Sequence, residues 1–182
     1  LMACPFKVAA AHGLVLRPMD DADLPFVAAL YASTRAEEVA QTGWPAEMQA
    51  AFLRQQHEAQ HQHYQAHYDH AEWLIIEQAG EAIGRLYWYE GEQSVHIVDI
   101  SLMPQARGLG LGTAILGDLA EHAARLGKGV SIYVEKTNPA CRLYERLGFA
   151  VAEDHGVYDL MRRPHAPASA PAAAGDQLKI AS

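Results

Sequence analysis

Cysteine is scarce. Cys4 and Cys141 are the only two in 182 residues, too far apart in sequence to form a disulfide framework, so a reducing, cytoplasmic setting is the expectation. Positive charge is also in short supply: 14 Lys and Arg stand against 22 Asp and Glu, a formal net charge of −8. That balance disfavours non-specific nucleic-acid binding, which rests on cations neutralising phosphates, and disfavours an anionic membrane surface. It suits a cationic or amine ligand. No apolar run approaches the roughly 18 residues needed to span a bilayer. Leu1-Met2-Ala3-Cys4 has the outline of a lipoprotein cleavage box, but no charged and apolar leader stands before it, so a lipid anchor is not expected.

What is present is an ordinary globular composition, half hydrophobic and one-fifth charged, with length for one domain and a sizeable core. The chain reads as an N-terminal arm over 1–13, a domain over 14–163 and a Pro/Ala-rich tail over 164–182, aperiodic and expected to be disordered. Leu14 to Pro18 predicts a first strand. Asp20 or Asp21 can cap a helix with the stripe Leu24, Val27, Ala28 and Tyr31. Gly43-Trp44-Pro45 breaks the chain, and a polar helix rich in Gln and His follows from Ala46 to His67. Strands at 73–77, 82–89 and 95–103, joined by short turns, predict an antiparallel meander.

The pattern then changes. Leu111, Ile115, Leu119 and Leu126 keep helical spacing up to Gly127. Residues 130–135 form a strand with Val130, Ile132 and Val134 on one face. Asn138 caps a short helix that Gly148 stops, and residues 149–152 and 157–161 close the domain. A meander followed by a crossover helix joining 95–103 to 130–135 gives an α/β sandwich. Its mixed, mostly antiparallel twisted sheet holds one central parallel pair, with helices flanking it.

Two glycine-punctuated segments carry the chemistry. The first, Pro104-Gln105-Ala106-Arg107-Gly108-Leu109-Gly110-Leu111-Gly112-Thr113, follows a strand and opens a helix. Glycines at 108, 110 and 112 leave backbone N–H groups unshielded, and the helix N-terminus adds partial positive charge; both suit a pyrophosphate. Arg107 offers a cation and Thr113 a hydroxyl. A Walker loop would need a lysine after the last glycine, and a dinucleotide fingerprint would need glycine where Thr113 stands. The plain structural alternative is a glycine-rich turn that only lets helix and strand pack. The second segment runs from Asn138-Pro139 through Tyr144 to Gly148-Phe149.

Arg107-x-x-Gly110-x-Gly112 resembles the coenzyme A motif of the GNAT N-acetyltransferase superfamily, and 138–149 resembles that family's second motif. Order and spacing agree over about 14–162. The resemblance implies a GNAT-like sheet and transfer of an acetyl group from acetyl-coenzyme A to a primary amine by direct attack, with no metal. The acceptor would be a small molecule or a peptide amine, and homodimers occur among such proteins. It implies that the strand before the cradle splays from its parallel neighbour to admit pantetheine. Leu102 and Met103 then lie beside the thioester, where a backbone N–H from the pair stabilises the oxyanion. The cofactor contacts implied are Leu102, Met103, Arg107, Gly108, Leu109, Gly110, Leu111, Gly112, Thr113, Asn138 and Tyr144.

Tyr144 occupies the family's tyrosine position. A phenol with a pKa of about 10 is a plausible proton donor to a basic thiolate; the alternative is a packing role beside Leu143 and Leu147. For the base, His96 and Asp99 both titrate on one strand. Their parity places them on opposite faces unless a bulge intervenes. Some GNAT relatives carry a histidine at the offset of His96 from Arg107, and its ordinary pKa near 6.5 suits a base. Asp99 would need desolvation, and Glu92 or a water relay are further options. A chain lacking a working base would be a non-catalytic acyl-coenzyme A sensor.

The resemblance also places the acceptor pocket in the N-terminal third, at 34–44 with Arg35, Glu37, Glu38 and Trp44, joined by Tyr87, Trp88 and Tyr89. His57/His61 and His63/His67 have i, i+4 spacing but fall on opposite sides of their helix, so four histidines cannot converge on a metal and a solvated polar face is expected.

Overall fold

The structure is a computed structural model that describes residues 5–165; most of the expected disordered tail, residues 166–182, lies outside the described residues. Seven strands form one sheet in the order β1-β2-β3-β4-β5-β7-β6: β1 (Leu14–Pro18), β2 (Glu72–Gln78), β3 (Glu81–Glu90), β4 (Ser94–Leu102), β5 (Gly129–Glu135), β6 (Ala150–His155) and β7 (Tyr158–Arg163). Every neighbouring pair is antiparallel except β4 and β5. The parallel pair needs a crossover, and helix α4 (Leu111–Arg125) supplies it.

Helices cover both faces, so the central strands are buried on both sides rather than alternating apolar and polar. On one face, Leu74, Ile76, Leu86, Trp88, Val95 and Ile97 pack with Ile115 and Leu119 of α4. On the other lie α2 (Leu24–Ala40) and α3 (Ala46–His67). The bounds of α3 are those read from the sequence, with Pro45 at its N-cap, where no N–H is needed. The face of α2 is shifted, however. Val27, Leu30 and Tyr31 are buried and Leu24 is exposed.

Residues 6–11 are docked on the domain rather than loose. Lys7–Ala11 form helix α1, Ala9 is fully buried, and Phe6 meets the Trp88 ring edge-on at 6.2 Å. The reason is distant in sequence. A helix start leaves its first N–H groups without acceptors, and the buried carboxylate of Asp118 on α4 takes those of Val8 (3.0 Å) and Ala9 (2.8 Å).

Candidate active site

Parallel pairing of β4 and β5 runs only from Ser94↔Gly129 to Ile97↔Ile132. Beyond it the two strands continue to Leu102 and Glu135 without pairing, so the sheet forks. The cause is adjacent. The β3–β4 register slips between Tyr87 and Trp88, leaving Val98 unpaired. Such a bulge bends its strand and raises its twist, carrying the end of β4 away from β5.

The bulge also resets side-chain parity. Asp99 lies opposite Tyr87 and His96 opposite Tyr89. Tyr87 and Tyr89 share a face of β3, so His96 and Asp99 share one too. That face looks toward α3. Tyr87 is buried there and Tyr89 is half-buried, whereas Trp88 faces the other way, against Phe6 and His122. Trp88 is therefore not part of a pocket with its two neighbours.

At the mouth of the fork lies the glycine segment. Gly110 is the N-cap of α4 in the left-handed region (φ 79°), and Gly108 is left-handed too (φ 72°). A Cβ on either would meet nothing within 4 Å, so these glycines are there for backbone conformation and open frontage, not for helix packing. Among the described residues, none of the six N–H groups from Gly108 to Thr113 has an acceptor; the first helical bond is Ala114 N–H to the Gly110 carbonyl. Six free donors at a helix N-terminus suit an anion. The side chains divide: Leu111 is buried in the core, while Leu109 and Thr113 are exposed. Arg107 donates from Nε to the Leu102 carbonyl (2.9 Å) and reaches toward Ser33 of α2 with Nη2 (3.5 Å).

Leu102 and Met103 do not offer equal donors. Met103 N–H is already bonded to the Ile83 carbonyl at 2.8 Å. Successive residues of a strand direct their backbone groups to opposite edges, so the Leu102 N–H points to the unpaired side, into the fork. Of the two N–H groups, Met103's is therefore taken and Leu102's is not. Close approach matters beside it: Gly84 lies opposite Leu102, and a Cβ there would be 2.7 Å from Leu102 Cδ2.

Tyr144 is on α5 (Cys141–Arg146). The Asn138 side chain accepts from Ala140 N–H (2.9 Å), so residues 138–140 form a capping turn and the helix proper starts at Cys141, later than the sequence suggested. The Tyr144 ring is 4% exposed and packs on Phe149 at 5.6 Å. Among the described residues its hydroxyl has no hydrogen-bond partner. Burial, with help from the Asp99 and Cys141 charges, raises its pKa.

Asp99 is fully engaged. Its carboxylate accepts from Arg85 Nε (3.2 Å) and Nη2 (3.0 Å), Tyr64 hydroxyl (3.1 Å) and Ser101 hydroxyl (2.8 Å). Arg85 is 2% exposed, donates also to Gln60 of α3 (2.8 Å), and stacks over Tyr87. A buried cation and carboxylate so tied form a bolt between α3 and the sheet. Arg85 was not singled out in the sequence, although a lone arginine in an apolar strand was a usable signal.

His96 is 7% exposed, and burial lowers its pKa to about 4. Its Nδ1 lies 2.8 Å from Ser131 Oγ, which lies 2.7 Å from Ser94 Oγ. Among the described residues its Nε2 has no hydrogen-bond partner. The ring forms one wall of an open cavity of about 300 Å³, lined by Tyr89, Glu92, Ser94, Ser131, Tyr133 and Arg162 among others. Glu92 is exposed at its rim.

The residues read as an acceptor pocket are partly spent on one another. Arg35 pairs with Glu135 at the end of β5 (2.6 Å) and with Glu38 (3.0 Å). Trp44 packs edge-on with Phe52 at 5.4 Å, while Glu37 stays exposed. The histidines separate as the helical spacing required, but only His63 and His67 lie on the solvated face expected for all four; His57 is buried against Tyr31 and His61 half-buried against Trp73. Among the described residues no group of three or more His, Cys, Asp or Glu is placed to hold a metal, and no helix is long and apolar enough to cross a membrane.

A run of free amides thus follows a strand that parts from its parallel neighbour. The family model for the acetyltransferase (GNAT) family matches residues 35–149. This chain belongs to the GNAT acetyltransferase family. Its fold is that of the PaiA N-acetyltransferase from Thermoplasma acidophilum, solved in complex with coenzyme A: the TM-score is 0.62 at 15% identity, over 83% of this chain and 98% of that one. The ribosomal-protein-S18-alanine N-acetyltransferase from Escherichia coli is similar in fold as well, with a TM-score of 0.56 at 19% identity over 92% and 99%. In sequence, mycothiol acetyltransferase of Corynebacterium glutamicum strain R is 39% identical over 87 residues, 44% of this chain and 29% of that protein. The corresponding protein of Mycobacteroides abscessus is 44% identical over 70 residues. The chain thus spans less than a third of the curated relatives it matches.

Proposed function

We propose that this GNAT protein is an N-acetyltransferase that moves an acetyl group from acetyl-coenzyme A to a primary amine by direct attack. The observation that carries the reading is the run of six unpartnered N–H groups from Gly108 to Thr113 at the mouth of the β4–β5 fork. The pyrophosphate binds there, and Arg107 adds its charge. Pantetheine lies in the fork, where the Leu102 N–H polarises the thioester carbonyl. The names of the relatives, mycothiol acetyltransferase among them, support acetyl transfer without fixing the acceptor.

Tyr144 is the general acid. A raised phenol pKa keeps the proton on oxygen until a strongly basic thiolate departs, which is the demand on a donor here. His96 is the base. With a pKa of about 4 it is neutral at pH 7, but it is too weak to deprotonate a free ammonium of pKa about 10. The amine therefore arrives neutral, attacks, and loses its proton to His96 from the far more acidic nitrogen of the tetrahedral intermediate. Asp99, with its lone pairs taken, supports the site by holding α3 in place and by its charge near Tyr144.

The test is release of free thiol from acetyl-coenzyme A across a panel of amines. Amine-dependent release in the wild type, with kcat reduced at least tenfold in Tyr144→Phe and coenzyme A affinity retained, supports the reading. Unchanged kcat with a chemically limited amine removes Tyr144 from the mechanism. Binding without turnover on any amine favours a sensor.

A further inference from the structure

His96 does not stand alone. Across the last paired part of the β4–β5 ladder, His96 lies directly opposite Ser131, and Ser94 lies two residues before His96 on the same face. The contacts join them into one chain: His96 Nδ1 to Ser131 Oγ, 2.8 Å, and Ser131 Oγ to Ser94 Oγ, 2.7 Å. His96 and Ser131 are 7% and 3% exposed, so water does not compete for Nδ1. Around the ring stand Tyr89 at 5.3 Å, Tyr133 at 5.6 Å and Tyr68 at 6.5 Å, which hold its plane but bond neither nitrogen.

Such a chain has two proton arrangements. In one, Ser94 donates to Ser131 and Ser131 to Nδ1, which puts the ring proton on Nε2. In the other, Nδ1–H donates to Ser131, Ser131 donates to Ser94, and Ser94 turns its hydrogen to the cavity. Only the second leaves a bare Nε2. A hydroxyl is donor and acceptor alike, so Ser131 accepts from Nδ1 at least cost when its own hydrogen, turned away from the ring, has another acceptor. Ser94 Oγ is that acceptor.

We propose that Ser131 and Ser94 are positioning residues that hold His96 as its Nδ1–H tautomer, presenting Nε2 to the acceptor amine. The proposal rests on His96 as the base. When Nε2 takes the amine proton, the imidazolium keeps Nδ1–H on Ser131, and the hydrogen bond to a now charged donor strengthens. No bond in the serine pair breaks, and the proton leaves later from Nε2 to water in the cavity. This neutral pair does the orienting work that a carboxylate does behind other catalytic histidines.

The tautomer is read directly by nitrogen-15 chemical shifts of the histidine side chains, with His96 assigned by its loss in His96→Gln. Free imidazole favours Nε2–H, so Nδ1–H in the wild type, switching to Nε2–H in Ser131→Ala, is the expected result. In kinetics, Ser131→Ala should lower kcat on the order of tenfold, part of the range general-base catalysis supplies, at unchanged KM for acetyl-coenzyme A. Ser131→Thr, which keeps the hydroxyl, should recover most of it. Ser94→Ala, at the half-buried first residue of β4, checks the relay without altering Ser131 and should shift the tautomer the same way. A wild-type His96 protonated on Nε2 overturns the proposal. So does full activity in Ser131→Ala when His96→Gln is impaired. Full activity in His96→Gln instead overturns the base assignment beneath it.

Discussion

Burial of His96 gives a prediction about stability that needs no substrate. Its pKa falls from 6.5 to about 4 in the folded protein, so between those values the unfolded chain binds a proton that the folded chain refuses. Stability from this group is full above pH 6.5 and is lost as pH falls toward 4. The whole drop corresponds to about 3 kcal/mol, and about 2 kcal/mol of it has gone by pH 5. His57 is depressed to about 4 as well, by burial and by the Arg85 charge, and the same causes lower His61, so the bare wild-type slope mixes three histidines. A difference isolates one of them. Urea denaturation of the wild type and His96→Gln at pH 7.5 and pH 5.0 should show the wild type losing more than the variant by about 2 kcal/mol. The variant starts lower, because Ser131 loses its partner, but its pH dependence is shallower. Equal losses in both proteins would refute the claim that His96 is held neutral by burial.

Three other substitutions probe separate links. Asp118→Ala leaves Val8 and Ala9 N–H without an acceptor and should cost about 2–3 kcal/mol, with faster hydrogen exchange at residues 7–11; an unchanged melting curve would mean α1 docks by other means. Arg85→Met strands the Asp99 carboxylate and should cost about 3–5 kcal/mol in urea, whereas replacing both members together should cost less. Gly110→Ala must hold φ near 79°. It should lose about 1–2 kcal/mol and also weaken coenzyme A binding about tenfold, one charge-assisted hydrogen bond's worth; calorimetry showing full affinity would refute the cradle.

Local signals were legible in the sequence and long-range ones were not. The limits of α3, the glycine-rich helix start, and the antiparallel meander with its one parallel pair came from Pro45, Gly108 to Gly112 and the apolar spacing, all of which act within a turn or two of chain. The bulge at Val98 has no mark in the sequence, because it is set by how β3 and β4 pair; without it His96 and Asp99 would face apart. α1 was missed because its start is satisfied by Asp118, 110 residues away. Separation in sequence also hid Ser131 behind His96, 35 residues apart, and Glu135 behind Arg35, 100 residues apart. Met103 looked equivalent to Leu102 until its N–H was found on Ile83.

The measurement that bears most directly on the central claim is calorimetric titration of acetyl-coenzyme A into the purified protein, with ATP as control. The account predicts micromolar binding of acetyl-coenzyme A and none of ATP, since the cradle carries no lysine for a terminal phosphate. No heat from acetyl-coenzyme A at millimolar concentration would contradict it, and the proposed transfer chemistry would fall with the cradle.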